Sequence, residues 1–330
     1  MIVKMTELMN HYTKLNDENR NKTFWNALCG CDLKGKRVLV IGDEILALFA
    51  AKAGSNKVYI CNDNKMTDIL LKKNSKIKII RKNIRNCKLV DFGNKKVHVI
   101  LSEWMGICLF HGRKLESVIY AREKFLMKKG IMLPCKATLC ISLIENNEKR
   151  EDNDDDLEFW KTNGQNHDQN FKELYDIDIT NVHEHAVRDF YTHIISQRVD
   201  KKNIISDFVN FKFNLMTIQK KDLKKFTLPI KQLKILKQTL LAGLCFYFKT
   251  EFCDFNGQHV TTLTTEPGIY NHWKQGIAYF NNLLPIDKGT ECALKILYKI
   301  NDEKSYNITC ELMIDENRYI KNCNTNVEYI

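Results

Sequence analysis

The sequence predicts an α/β domain built on a parallel sheet, followed by a β-rich domain that carries a long polar insertion. Three observations predict it. Between Arg37 and Gly130, short apolar runs alternate with helix-patterned segments, as a parallel sheet covered by helices on both faces requires. After Pro134 the pattern changes to strand-like alternation joined by polar turns, the pattern of a barrel or sandwich. Between Glu145 and Arg188 neither pattern holds, and the stretch opens on the acidic run Glu151 to Asp156, which reads as a mobile loop.

Taken in order, residues 1–36 are polar with helical spacing of Leu8, Tyr12 and Leu15, then Phe24, Trp25 and Leu28. Arg37 to Gly42 is a short buried strand entering a turn. Asp43 to Ala53 reads as a helix, with Asp43 and Glu44 at its start and Gly54 past its end. Lys57 to Cys61 is a second strand and Thr67 to Lys73 a second helix. Lys76 to Arg81 and Val97 to Leu101 are further strands, and Glu116 to Met127 reads as a helix stopping at Lys129-Gly130. Beyond Pro134, strands are expected over Ala137 to Ile144, Ser206 to Phe213, Leu240 to Phe252, Ala293 to Lys299 and Tyr306 to Ile314. The expected domains are a helical segment over 1–36, the α/β domain over 37–134 and the β domain over 135–330, with 145–190 as the insertion.

Composition narrows the function classes. The chain has 330 residues, 44% hydrophobic and 28% charged, which is ordinary for a globular protein. Its longest apolar stretch, Ile45 to Ala51, is too short to cross a bilayer, and the first residues lack the apolar segment of a secretory signal. The twelve cysteines show no zinc-ligand spacing, so no metal site is expected and a reduced cytoplasmic or nuclear compartment is. The net charge of +11 raises nucleic-acid binding. The basic residues are spread among many Asn and Ile, however, and the densest runs, Lys72 to Arg85 and Lys220 to Lys225, read as solvated faces.

Two motifs carry chemistry. Ser102-Glu103-Trp104-Met105-Gly106 places a carboxylate at the carboxyl end of a strand, where open α/β sheets bind ligands. Asn271-His272-Trp273-Lys274-Gln275 follows about 170 residues later. With AKAGSNKVY from Ala51, the helix-and-strand segment ending at Pro134 and FYFKTEF from Phe246, they resemble the protein arginine methyltransferases over roughly residues 14–330. The resemblance implies a Rossmann-like S-adenosylmethionine methyltransferase domain followed by a β-barrel with an inserted dimerisation arm, here near Phe171 to Asp189. It also implies methyl transfer to a guanidinium nitrogen, and a head-to-tail dimer in which each arm supports its partner's cofactor domain.

That chemistry implies four features. The glycine-rich turn after the first strand is here the shorter Gly42-Asp43-Glu44, whose acids read as helix caps that would repel the cofactor carboxylate. The acid after the second strand, which would hold the ribose, is Asn62, with Asp63 beside it. The arginine that would pair with the cofactor carboxylate is Arg20, equally readable as a surface residue of a polar helix. The two-glutamate guanidinium clamp keeps Glu103, but Gly112 stands nine residues later where the second acid belongs, between His111 and Arg113. Glu116 belongs to the next helix and is not expected to replace it, and His272 reads as a packed, hydrogen-bonded residue. The leading expectation is therefore an inactive family member, a regulatory or scaffolding subunit. Its partner would be an intact arginine methyltransferase or a second copy, gripped through the arm, and the complex would act on arginine-rich proteins. An active enzyme with a rearranged cofactor loop is the second reading, and a nucleic-acid or ribonucleoprotein binding module the third.

Overall fold

The computed structural model describes residues 5–62, 65–71, 74–165, 170–303 and 305–325. The chain divides into two compact units, one made of Met1–Leu139, Asn210–Lys224 and Tyr247–Lys274, the other of Cys140–Val209, Lys225–Phe246 and Gln275–Ile330.

The first unit begins with helices α1 (Met5–Leu15) and α2 (Glu18–Cys29). There follow β1 (Arg37–Ile41), α3 (Glu44–Lys52), β2 (Lys57–Cys61), α4 (Lys65–Leu71), β3 (Ile77–Ile80), β4 (Val97–Ser102), α5 (Leu115–Phe125) and β5 (Leu126–Leu133). The five strands form a parallel sheet in the order β3-β2-β1-β4-β5. Val38, Leu39, Val40, Val58, Ile60, Val99 and Leu101 are fully buried. Strands covered on both faces need apolar residues at successive positions, which is why they read as continuous apolar runs. The strand order reverses between β1 and β4, so the ligand-binding crevice of this sheet type lies beyond Ile41 and Ser102.

One expectation here is corrected. The helix before Pro134 does not continue to Met127 and stop at Lys129-Gly130; α5 ends at Phe125 and passes directly into β5. Gly130 lies inside that strand, where a Cβ would sit 2.8 Å from the His98 carbonyl oxygen. The glycine serves close approach to β4 rather than helix termination.

The remaining elements are β6 (Lys136–Glu145), α6 (Glu148–Lys161), α7 (Phe171–Tyr175), α8 (His183–Thr192), β7 (Ile195–Gln197), β8 (Val209–Asn214), β9 (Lys225–Lys234), β10 (Thr239–Cys253), β11 (His259–Thr264), β12 (Gln275–Ile286), β13 (Glu291–Ile300), β14 (Tyr306–Ile314) and β15 (Asn317–Asn324). β11 and the second half of β10 belong to the first unit. In the second unit β7, β12, β10 and β6 lie side by side, as do β15, β14, β13 and β9. Isolated bridges mark two seams, Ser206 with Ile235 and His193 with Asn324. The unit is barrel-like, its seams held by single bridges rather than ladders. Cys292, Leu294, Ile296 and Tyr298 alternate inward along β13 against Ile308, Cys310 and Leu312 of β14.

A second correction concerns the acidic run. Glu151 to Asp156 is not a loop but part of α6. Asn147 caps the helix by accepting from the Arg150 amide at 3.2 Å, and Glu148 and Glu151 occupy its positively polarised first turn. Arg150 is buried, donating to the Phe280 carbonyl at 2.8 Å and the Tyr191 hydroxyl at 3.0 Å. One buried arginine thus anchors a helix whose next residues are mostly acids turned to water. In the expected arm, Leu174, Tyr175 and Ile177 are 58%, 64% and 51% exposed.

Candidate functional site

Asp17 caps α2, its Oδ1 accepting from the Arg20 amide at 2.9 Å. The helix then buries Arg20, Thr23, Phe24, Ala27 and Leu28, with Phe24 edge-on to Phe252 at 5.1 Å. Arg20 therefore lies on the apolar face and is fully buried. Reading it as a surface residue overlooked this i, i+4, i+8 spacing with Phe24 and Leu28.

A buried guanidinium must be paired on all sides. Arg20 Nε donates to Glu103 Oε2 at 3.0 Å, Nη1 to Asn21 Oδ1 at 2.7 Å, and Nη2 both to Asp43 Oδ2 at 2.7 Å and to Glu103 Oε2. Lys14, from the end of α1, adds its ammonium at 3.3 Å from Asp43 and 3.4 Å from Glu103. The other Glu103 oxygen, Oε1, lies 2.9 Å from His272 Nε2. His272 Nδ1 and its backbone N–H both meet Asp17 Oδ2, at 2.8 Å each. Both ring nitrogens thus face carboxylates, an arrangement that favours imidazolium. Trp273 beside it donates its indole N–H to the Met105 carbonyl at 3.1 Å, fixing the Glu103 loop.

The electrostatics follow. Burial by itself would raise the Glu103 carboxyl, but Arg20, Lys14 and His272 outweigh it and hold the group well below the usual carboxylate range. Burial would likewise lower His272, and its bonds to Asp17 and Glu103 reverse that and raise it above an ordinary histidine. Arg20 and Lys14 are also raised, desolvation being overcome by Glu103 and Asp43.

At the turn after β1, Gly42 has φ +87° and Asp43 is the N-cap of α3, accepting from the Leu46 amide at 3.0 Å. Asp43 is thus a cap, as expected, and a partner of Arg20 as well. Glu44 lies in the first turn of α3 rather than at its cap and is buried, with Oε1 accepting from Asn62 Nδ2 at 2.7 Å and Thr67 Oγ1 at 2.6 Å. Asn62 also donates to the Gly42 carbonyl at 3.1 Å. Asp63 lies outside the described residues.

Gly112 sits in a short 3-10 turn with φ +75°. A Cβ there would meet only the Lys114 side chain, whose Cε lies 3.8 Å away. Glu116 does not turn back toward Glu103; it is buried against Arg113 Nε at 2.6 Å, with Arg85 at 3.4 Å and Lys220 at 3.6 Å. Gly106 closes the loop, its N–H donating to the Leu109 carbonyl at 3.1 Å where a Cβ would strike the His111 carbonyl oxygen.

Of the residues singled out in the sequence, the fold brings Arg20, Glu103 and His272 into one network. It ties Gly42 to Asn62 in a second, adjacent through Asp43 and Glu44. Asp17, Lys14 and Asp43 as partners of these groups were missed; the Asp-x-x-Arg cap pattern at Asp17 was the one available signal. Among the described residues, the side chains do not fit S-adenosylmethionine. The guanidinium that would take its carboxylate is held by Asp43 and Glu103, the turn presents two carboxylates, and the ribose-side position is an amide bonded inward. Among the described residues no group of three or more His, Cys, Asp or Glu is placed to hold a metal.

Residues 135–316 match the arginine methyltransferase oligomerization subdomain. The chain is 30% identical to protein arginine N-methyltransferase 1 of Dictyostelium discoideum over 287 residues, covering 84% of this chain and 78% of that protein. It is 31% identical to protein arginine N-methyltransferase 8-B of Danio rerio over 317 residues, covering 92% and 70%. Among solved structures, protein arginine methyltransferase 10 of Arabidopsis thaliana superposes with a TM-score of 0.84 at 23% identity, covering 96% of this chain and 97% of that one. A chain of the Trypanosoma brucei PRMT1 enzyme–prozyme heterotetrameric complex with AdoHcy superposes at 0.81 and 22% identity, covering 96% and 98%. These last two share the fold, and the first two, with the matched subdomain, establish kinship: the chain belongs to the protein arginine methyltransferase family.

Proposed function

We propose that this chain is a catalytically silent arginine methyltransferase homologue that works as a regulatory or scaffolding subunit of an intact family member. The observation that carries the reading is the seat of Arg20. Both oxygens of Glu103 already carry partners, Oε2 Arg20 and Oε1 His272, so an incoming guanidinium fork would have to compete with them. The same arginine is withdrawn from any cofactor carboxylate by Asp43. Gly112 supplies no second acid.

The exposed Leu174, Tyr175 and Ile177 of the arm region support partnering, because apolar side chains clustered on a short surface segment gain by burial against another chain. The match to an oligomerization subdomain and the likeness in fold to a chain of an enzyme–prozyme complex point the same way. The test has two parts. Titration of the purified chain with S-adenosylmethionine in a calorimeter is expected to give no micromolar binding, and assays on Arg-Gly-rich peptide no turnover. Co-expression with an intact arginine methyltransferase from the same cell is expected to give a hetero-oligomer more active than that enzyme alone. Binding with turnover by the chain alone overturns the reading.

A second reading, an active methyltransferase with a rearranged cofactor loop, is favoured by one observation: His272, Asp17 and Glu103 form an unbroken hydrogen-bonded chain. It requires Arg20 to release Asp43 when cofactor arrives.

A further inference from the structure

The loop that carries Glu103 and Gly112 is ringed by more cations than anions. Glu116, the buried acid at the start of α5, is met by Arg113, Arg85 and Lys220 at once. α5 packs against the segments Ile84–Asn86 and Lys220–Leu223, which bring Arg85 and Lys220 to the same place from distant parts of the sequence. One carboxylate cannot neutralise three cations. Arg85 and Lys220 are 44% and 56% exposed, so their unspent charge faces water.

Lys114 adds to the excess. It is exposed to water beside Gly112, with Glu103 and Asp43 the acids within its electrostatic reach. Those two carboxylates are already engaged by Arg20 and Lys14. Counting the groups named, Lys14, Arg20, Arg85, Arg113, Lys114 and Lys220 oppose Asp17, Asp43, Glu44, Glu103 and Glu116, an excess of one positive charge before His272 is protonated.

We propose that this face binds an acidic peptide segment of a protein partner: the mouth that in an arginine methyltransferase admits a cationic side chain has here been inverted to admit an anionic one. Charge complementarity selects the occupant. Nucleic acid suits the face less well, because Trp104 and Phe110 of the loop and Trp273, which packs against it, are buried and form no stacking platform. The inference rests on the family reading of the Glu103–Gly112 loop as the former substrate mouth. Its test reads this face directly, and so fails or succeeds independently of methyl transfer and of any effect on a partner enzyme.

The experiment is a fluorescence-anisotropy titration of the full chain against fluorescein-labelled hexaglutamate, hexa-arginine and a single-stranded hexanucleotide, at 50 and 200 mM salt. Saturable hexaglutamate binding that weakens with salt is expected, and none to hexa-arginine. R85E/K220E should weaken it about tenfold or more, whereas K201E/K202E, on the second unit, should leave it unchanged. R85Q/K220Q, which adds no acid beside Glu116, should weaken it in the same direction and guards against misfolding of the reversal variant. Absence of saturable hexaglutamate binding at 50 mM salt overturns the proposal, as does equal loss in R85E/K220E and K201E/K202E. Tighter binding of the hexanucleotide, lost in R85Q/K220Q, would assign the face to nucleic acid instead.

Discussion

Replacing Arg20 by methionine tests whether the network is internally satisfied or merely waiting for ligand. Arg20 is fully buried and neutralises Asp43 and Glu103, both almost wholly buried themselves. Methionine fills a similar volume and removes the charge, leaving two carboxylates to share Lys14 and His272. Removing one partner of a buried ion network costs about 3–5 kcal/mol, since an uncompensated charge stays behind. Removing the whole set costs far less, because the desolvation penalty disappears with the charges. Arg20→Met should therefore destabilise the first unit by about 3–5 kcal/mol. The triple variant Arg20→Met, Asp43→Asn, Glu103→Gln should recover most of that loss. The assay is guanidinium-induced unfolding followed by tryptophan fluorescence, since Trp25, Trp104 and Trp273 all belong to this unit. A loss below about 1 kcal/mol, the size of a solvated surface pair, would refute the idea that Arg20 is the keystone. A triple variant no better than the single would show that packing around Arg20, and not charge balance, sets the cost.

Three further outcomes follow from the same structure. His272 is raised in the folded state, so its pairing with Asp17 and Glu103 stabilises fully below the ordinary histidine pKa of about 6.5 and is lost as pH rises through its higher folded value; His272→Asn should flatten the unfolding free energy over that window, and an unchanged pH profile would contradict the pairing. Gly112→Glu should not restore methyl transfer, because Arg20 still occupies Glu103, and at φ +75° the substitution should itself cost about 1–2 kcal/mol in thermal unfolding; measurable turnover by this single variant would show that the cofactor site is competent. Leu174→Ser with Tyr175→Ser and Ile177→Ser should dissociate the complex in size-exclusion chromatography while circular dichroism keeps the β signal, and an unshifted elution volume would remove the arm from the interface.

Much of this protein was written in local sequence pattern. Apolar runs such as Val38–Val40 and Val97–Leu101 can be satisfied only inside a sheet covered on both faces, so the α/β half was legible. The alternation along Ala293 to Lys299 marked a strand with one wet face, and the shortened Gly42 turn and Gly112 were visible as missing chemistry. Where reading by pattern went astray, the deciding contact lay far away in the chain. The acidic run is helical because Arg150 reaches Phe280, and Gly130 sits in a strand because His98 lies against it. The state of the candidate site was likewise beyond pattern. Arg20, Asp43, Glu103 and His272 come from four separate segments, and no local pattern in any one of them announces its pairing with the others. Only the fold shows that Arg20 is buried among the other groups, because pairing of buried charges is set by distances in space and leaves no periodic trace along the chain.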